Sequence, residues 1–193
     1  MKKVLLIGDS IRMGYQPIVV VALGGVADVG GPTQNGGDSS TVLAHLDEWV
    51  IAQQPDIVHM NAGLHDIKRE FGARENQVPL ARYRQNLETI FARVHDETEA
   101  TLIWAKTTPV NERWHHERKG FDRFEADVQA YNDAALALAA KMRVAVDDLT
   151  RAVLEGGGNA LLNDDGVHLT PRGYNLLGKT VAACIRTHLG DRA

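Results

Sequence analysis

Short apolar segments alternate with longer amphipathic segments along the whole chain, and this alternation restricts the possible folds strongly. Five segments have the length and composition of strands: KVLLI (residues 3–7), GVADVG (25–30), DIVHM (56–60), TLIWAK (101–106) and RVAV (143–146). The first is almost wholly apolar, which is typical of a central parallel strand buried on both faces.

The segments between these strands have the spacing of helices. Residues 80–98 place apolar side chains on one stripe: Leu80, Tyr83, Leu87, Ile90, Phe91 and Val94. Helices are also predicted over 11–23, with Pro17 in the first turns, over 40–54 and over 122–142. A last helix should begin with Thr170 as N-cap and Pro171 in the first helical position, and end near residue 188. Strands joined by helices predict a parallel sheet with right-handed crossovers, hence one three-layer α/β domain over residues 1–193.

Composition and charge exclude several classes of function. The 193 residues suffice for one sizeable core, and a net charge of −4 gives no basic face for nucleic acid. No apolar run approaches the length of a membrane span. The start MKKVLLIGDS resembles a signal peptide, but its four apolar residues are too few, so we expect a cytoplasmic protein unless a leader was removed. Cys184, the single cysteine, is expected to be a buried structural thiol.

Three polar clusters lie where chemistry collects in such a fold, at the carboxyl ends of strands or just before the last helix. They are GDS (residues 8–10), NAGLHD (61–66) and DDGVH (164–168). Asp165 and His168 are three residues apart, so one turn lets the carboxylate reach the imidazole. Ser10 alone is more often only a helix cap, and Asp165 and His168 alone are more often a solvated loop or a capping pair. Together the three residues favour nucleophile, base and orienting group for acyl transfer.

These clusters, in this order, resemble the sequence blocks of the SGNH hydrolases, also called GDSL-like esterases. IGDS resembles the first block, NGGDSS (residues 35–40) the second, GLHD (63–66) the third and DGVH (165–168) the fifth. The resemblance implies a flavodoxin-like sandwich with a five-stranded parallel sheet and a cofactor-free Ser10–His168–Asp165 triad. It implies that the Gly37 amide, with Gly36 adjacent, helps to bind the oxyanion. The expected substrate is a small carboxylic ester, with short acyl groups such as acetyl on a carbohydrate favoured.

His65 stands where the family has an asparagine that donates to the oxyanion. A histidine ring N–H can also donate, so the role could be kept. The alternative is altered activity, that is, a non-catalytic relative that binds carbohydrate or acyl groups. Asn61 offers a further amide near the oxyanion, although its place two residues before Gly63 favours another direction. For Asp66 we expect a structural or orienting role.

A metal site is a further alternative, because His65, Asp66, Asp165 and His168 form two His/Asp clusters. The chain has no His-x-x-x-His or His-Glu-x-x-His pair, and Ser10 would then be idle, so we expect no metal.

The polar segment 107–123 follows the fourth predicted strand and therefore lies on the side of the site. We expect it to form a wall or lid, with Trp114 against a sugar face or an aromatic ester. A solvated loop with one tucked tryptophan explains the same residues equally well.

Overall fold

The computed structural model describes residues 1–190 and is built around a five-stranded parallel sheet. The strands of the described chain are β1 (Lys2–Ile7), β2 (Ala27–Gly30), β3 (Ile57–Met60), β4 (Arg69–Glu70), β5 (Thr101–Ala105), β6 (Phe121–Asp122) and β7 (Ala145–Asp147). The order in the main sheet is β2-β1-β3-β5-β7, with every pair parallel. Strands β4 and β6 form a separate antiparallel pair. The five predicted strands are therefore confirmed as one parallel sheet.

Helices cover both faces of this sheet. They are α1 (Ser10–Ala22), α2 (Ser39–Ala44), α3 (Leu46–Trp49), α4 (Leu80–Glu97), α5 (Glu112–Arg118), α6 (Glu125–Met142), α7 (Leu149–Gly156) and α8 (Pro171–His188). One group packs α8 against α1 and α7, and the other packs α4 against α2 and α6. The predicted three-layer α/β/α architecture is confirmed.

Burial in the core explains why the strands could be recognised in the sequence as short apolar segments. All four residues of β3 are buried, and so are residues 4–7 of β1, because helices lie on both faces. Trp104 on β5 is fully buried opposite Met60 on β3. Cys184 differs slightly from expectation, since it is half-buried beside the core. Burial raises the pKa of its thiol to about 12, with Asp147 adding to the effect, so the thiol stays protonated.

Several element boundaries differ from prediction. The predicted helix over 40–54 divides into α2, α3 and a 3-10 turn, because the backbones of His45 and Val50 leave helical values. The β-branched Val50 and Ile51 are weak helix formers, which favours the break. Conversely, α1 continues past Pro17, which is exposed. The segment 107–123 is not a plain loop, since it contains α5 and β6.

The helices within residues 1–190 include none that combines the length and the apolar character needed to cross a bilayer.

Candidate active site

Ser10, His168 and Asp165 form a continuous hydrogen-bonded chain at the carboxyl edge of the sheet. Ser10 Oγ lies 2.9 Å from His168 Nε2, and His168 Nδ1 lies 2.5 Å from Asp165 Oδ2. The structure thus brings together two residues that are 158 positions apart in sequence. Nδ1 must carry the proton that bonds the carboxylate, so Nε2 is free to accept one from the serine hydroxyl.

The end of β1 and the start of α1 position Ser10. Two residues separate the last residue of β1 from Ser10, the first residue of α1. The buried Asp9 is the N-cap of this helix, and its Oδ1 accepts a hydrogen bond from the Ile11 amide at 2.9 Å. Ser10 therefore lies in the first turn, where helical bonding leaves backbone N–H groups unused.

A tight turn before α8 positions the histidine. Asp165 Oδ1 accepts hydrogen bonds from the amides of Val167 (3.1 Å) and His168 (2.9 Å), while Oδ2 faces the imidazole. The His168 carbonyl accepts a bond from the Asn163 amide at 2.7 Å, which closes the turn. Thr170 then caps α8 through its side chain, as predicted, so the base is held directly ahead of a helix start.

Asp165 is ionised at all ordinary pH values. Partial burial opposes the charge, but hydrogen bonds from the His168 side chain and from the His168 and Val167 amides lower the pKa of Asp165 well below its usual range. Lys119 places a cation beside the carboxylate, with Nζ at 3.4 Å from Asp165 Oδ2. A fixed negative charge behind the imidazole favours proton uptake at Nε2.

The glycine loop of residues 35–37 approaches the end of β1 beside Ser10. The Gly36 amide donates to the Gly8 carbonyl at 3.0 Å, and a Cβ on Gly36 would come within 2.7 Å of that oxygen. Gly37 has a φ of +61°, a conformation that favours glycine. Its amide donates to Asn35 Oδ1 at 2.9 Å. The predicted oxyanion donor therefore already has an acceptor, which the sequence did not indicate.

His65 lies half-buried within electrostatic range of the triad. Burial lowers the pKa of His65, and the nearby Arg123 and His168 lower it further, while Asp9 and Asp38 act in the opposite direction. At neutral pH the ring is therefore uncharged and carries one N–H donor.

The other predicted residues of the third block occupy structural positions. Asn61 differs from the expectation of an oxyanion or substrate contact, because its side-chain amide donates to the Ala105 carbonyl at 2.8 Å. This bond ties the ends of β3 and β5 together. Asp66 is fully buried, and both of its oxygens accept from the Ser39 amide, at 3.0 and 3.1 Å. This arrangement agrees with the structural role expected for Asp66.

Trp114 lies on α5, half-buried against the core, rather than in an open loop. A Cβ on Gly166 would come within 3.2 Å of Trp114 Cβ, so the tryptophan adjoins the turn that carries Asp165 and His168. In the part of the chain that the structure describes, no three histidine, cysteine or acidic side chains are grouped so that they could hold a metal ion.

Comparison with known proteins agrees with this fold. Residues 6–176 match the model of the GDSL-like lipase/acylhydrolase family. The chain belongs to this family, and it is accordingly an esterase or acylhydrolase. No match was found among curated proteins.

Solved structures with the same fold include three of note. A lipase/acylhydrolase from Enterococcus faecalis aligns with a TM-score of 0.82 at 24% identity, over 100% of both chains. The acetyl xylan esterase AlAXEase aligns with a TM-score of 0.77 at 16% identity, over 95% of this chain and 99% of the other. Axe2, an acetylxylan esterase from Geobacillus stearothermophilus, aligns with a TM-score of 0.76 at 21% identity, over 98% and 94% of the respective chains.

Proposed function

We propose that this protein is a serine esterase that removes short acyl groups, acetyl above all, from hydroxylated small molecules such as acetylated saccharides. The observation that carries the proposal is the hydrogen-bonded chain from Ser10 Oγ through the His168 imidazole to the Asp165 carboxylate. A serine hydroxyl is a weak nucleophile, and a base at 2.9 Å supplies what it lacks.

The proposed reaction has two halves. Ser10 Oγ attacks the acyl carbon as His168 Nε2 takes its proton, and the same nitrogen then protonates the leaving alcohol. A water molecule next attacks the acyl-serine as His168 Nε2 takes its proton. The imidazolium then returns that proton to Ser10 Oγ as the bond to the acyl group breaks and the acid leaves. Asp165 stays ionised throughout and stabilises the imidazolium that forms in each half.

Three donors are available for the negative oxygen of the tetrahedral intermediate. The Ser10 amide lies in the first turn of α1, and the neutral His65 ring supplies an N–H. The Gly37 amide can take part once it exchanges its bond to Asn35. Such donors stabilise the transition state because they are oriented before the reaction begins.

Two observations support an acylated saccharide as substrate. The His168 side chain is 36% exposed, so the base is accessible to an alcohol on a bulky molecule. Two of the similar folds belong to acetylxylan esterases, and catalytic mutants of the Geobacillus enzyme replace a serine and a histidine by alanine. Trp114, which adjoins the turn that carries Asp165 and His168, is our candidate for contact with the sugar.

Substitution of the triad tests the mechanism. We expect Ser10→Ala and His168→Ala each to reduce kcat/KM for p-nitrophenyl acetate by at least about 1,000-fold, while Asp165→Asn, which leaves the base in place, retains more activity. Circular dichroism should show intact folds. A normal rate in Ser10→Ala would end the serine-esterase proposal.

A fluorophosphonate probe separates this enzyme from a non-catalytic binding relative, the alternative that the His65 departure raises. The probe should add one adduct to the wild-type protein at Ser10 and none to Ser10→Ala, as read by intact mass. Absence of an adduct on the wild type would favour the binding protein. A panel of acetylated sugars and p-nitrophenyl esters of increasing acyl length then defines the substrate.

A further inference from the structure

Two buried side chains, His115 and Arg123, connect the two loops on either side of the proposed site. His115 Nδ1 lies 3.1 Å from the Asp165 carbonyl, on the loop that holds the base. Arg123 Nε donates to the Leu64 carbonyl at 2.5 Å, on the loop that holds His65. Between them, Arg123 Nη1 lies 3.5 Å from His115 Nε2. The link thus runs without a break from one loop to the other.

The chemistry of the groups in these three contacts defines which atom donates and which accepts each hydrogen bond. A carbonyl only accepts, so His115 Nδ1 must carry the proton toward Asp165, and an arginine only donates, so His115 Nε2 must accept. His115 is therefore the neutral Nδ1–H tautomer. Burial lowers the pKa of His115, which agrees with this state. Burial also lowers the pKa of Arg123, to about 10, so the guanidinium is still charged at neutral pH.

The burial of the Arg123 guanidinium costs free energy of folding, which indicates that this position serves a function. The residue is only 6% exposed, and among residues 1–190 no carboxylate lies within ion-pair distance of its guanidinium. Asp9 and Asp165 act on it only at longer range, and the Phe121 ring packs 5.0 Å from its Cζ. A buried cation without a paired anion costs several kcal/mol, and such groups are enriched at functional sites.

We propose that His115 and Arg123 are positioning residues that hold the Asp165 loop and the His65 loop at the separation that the reaction requires. The proposal rests on the esterase function proposed above. In this arrangement the segment from α5 to Arg123, the residue after β6, braces the site. It fixes the base on one side of the acyl group and the oxyanion donor on the other. Neither side chain needs to touch the substrate.

The first test is the kinetics of Arg123→Met with p-nitrophenyl acetate. A displacement of about 1 Å in an aligned site can cost up to about 100-fold in rate, so we expect kcat to fall by about 10- to 100-fold with KM within two-fold. Arg123→Lys, which can keep one bond to the Leu64 carbonyl, should recover part of kcat. It also provides a second readout if Arg123→Met does not fold. An unchanged kcat in both variants would overturn the proposal, as would a raised KM with unchanged kcat, which would make Arg123 a substrate-binding group.

A double-mutant cycle with His65 gives a readout that a merely structural role would not move. If Arg123 holds the His65 loop, His65→Ala should cost less kcat in the Arg123→Met background than in the wild type. If kcat of the double variant falls by the product of the two single-variant losses, the two residues act independently and the link is contradicted.

Arg69→Met is the matched control. Arg69 on β4 also stacks on a phenylalanine, Phe124 at 4.8 Å, and pairs with Asp127 at 2.6 Å, but it contacts neither loop carbonyl. Its kcat should stay at the wild-type value even if the melting temperature falls. Failure of the esterase proposal itself would appear separately, as absent turnover and absent fluorophosphonate labelling in the wild type.

Discussion

At the scale of single residues, His65 lies where the resemblance to the family blocks predicts an asparagine that donates to the oxyanion. The ring of His65 is neutral because burial lowers its pKa. If it donates to the oxyanion, His65→Ala should reduce kcat by about 100-fold with little change in KM. His65→Asn should recover part of that loss, since an amide is the same kind of donor. An unchanged kcat in His65→Ala would leave the oxyanion to backbone amides alone, and a loss confined to melting temperature would make His65 structural.

Asn35 gives a second prediction at this scale. Its side-chain oxygen accepts the Gly37 amide at 2.9 Å, so that amide must exchange partners before it can hold the oxyanion. One net hydrogen bond is worth about 1 kcal/mol, so Asn35→Ala should raise kcat by about five-fold for acetyl esters. Asn35→Asp, which keeps an acceptor, is the control and should not raise kcat. A fall in kcat in Asn35→Ala would instead mean that Asn35 orients the amide.

At the scale of elements, the packing of helices α1 and α8 sets the distance between the side chains of Ser10 and His168. α1 begins at Ser10, and α8 begins three residues after His168. Glycine allows the two helices to approach closely, because a Cβ on Gly178 would come within 2.5 Å of Ile18 Cβ. The 2.9 Å contact between serine and imidazole therefore depends on packing well away from the site.

Gly178→Ala tests this dependence. Alanine favours helix by about 1 kcal/mol, but an overpacked contact of this kind typically costs about 1–3 kcal/mol, so the helices should move apart. We expect a lower melting temperature together with a several-fold lower kcat. Lys179→Ala, on the exposed side of the same helix, should change neither quantity. A lower melting temperature with unchanged kcat would show that the site tolerates the displacement.

The same elements show what sequence reasoning could and could not predict. The strands were predictable because burial on both faces makes them apolar, and Asp165 with His168 because three residues form one turn. Ser10 could be grouped with them because chemistry collects at the carboxyl ends of parallel strands, and the resemblance to the family blocks supported this grouping. The contacts of His115 with Asp165 and of Arg123 with Leu64 span 50 and 59 residues and depend on the loop conformation. No spacing rule reports such contacts.

At the scale of the whole molecule, the buried Asp66 couples global stability to pH. The carboxylate bonds the Ser39 amide and so ties the His65 loop to the start of α2. Burial raises the pKa of Asp66 from 3.8 to about 7, despite the hydrogen bonds from Ser39 that oppose the shift. Between these values the folded chain keeps a proton that the unfolded chain has lost. This contribution to stability is complete below about pH 4 and disappears as pH rises through 7.

Asp66→Asn removes the titration while keeping the size of the side chain and an acceptor for Ser39. The free energy of unfolding of the wild type, minus that of the variant, should therefore decrease between pH 4 and pH 8. A rise in pKa from 3.8 to about 7 corresponds to a decrease of as much as ~4 kcal/mol. Urea denaturation of both proteins across this range measures the difference directly, and the subtraction cancels every group that titrates alike in both. A difference that is constant with pH would mean that folded Asp66 is ionised throughout the range. In that case the Ser39 hydrogen bonds outweigh the cost of burying the charge.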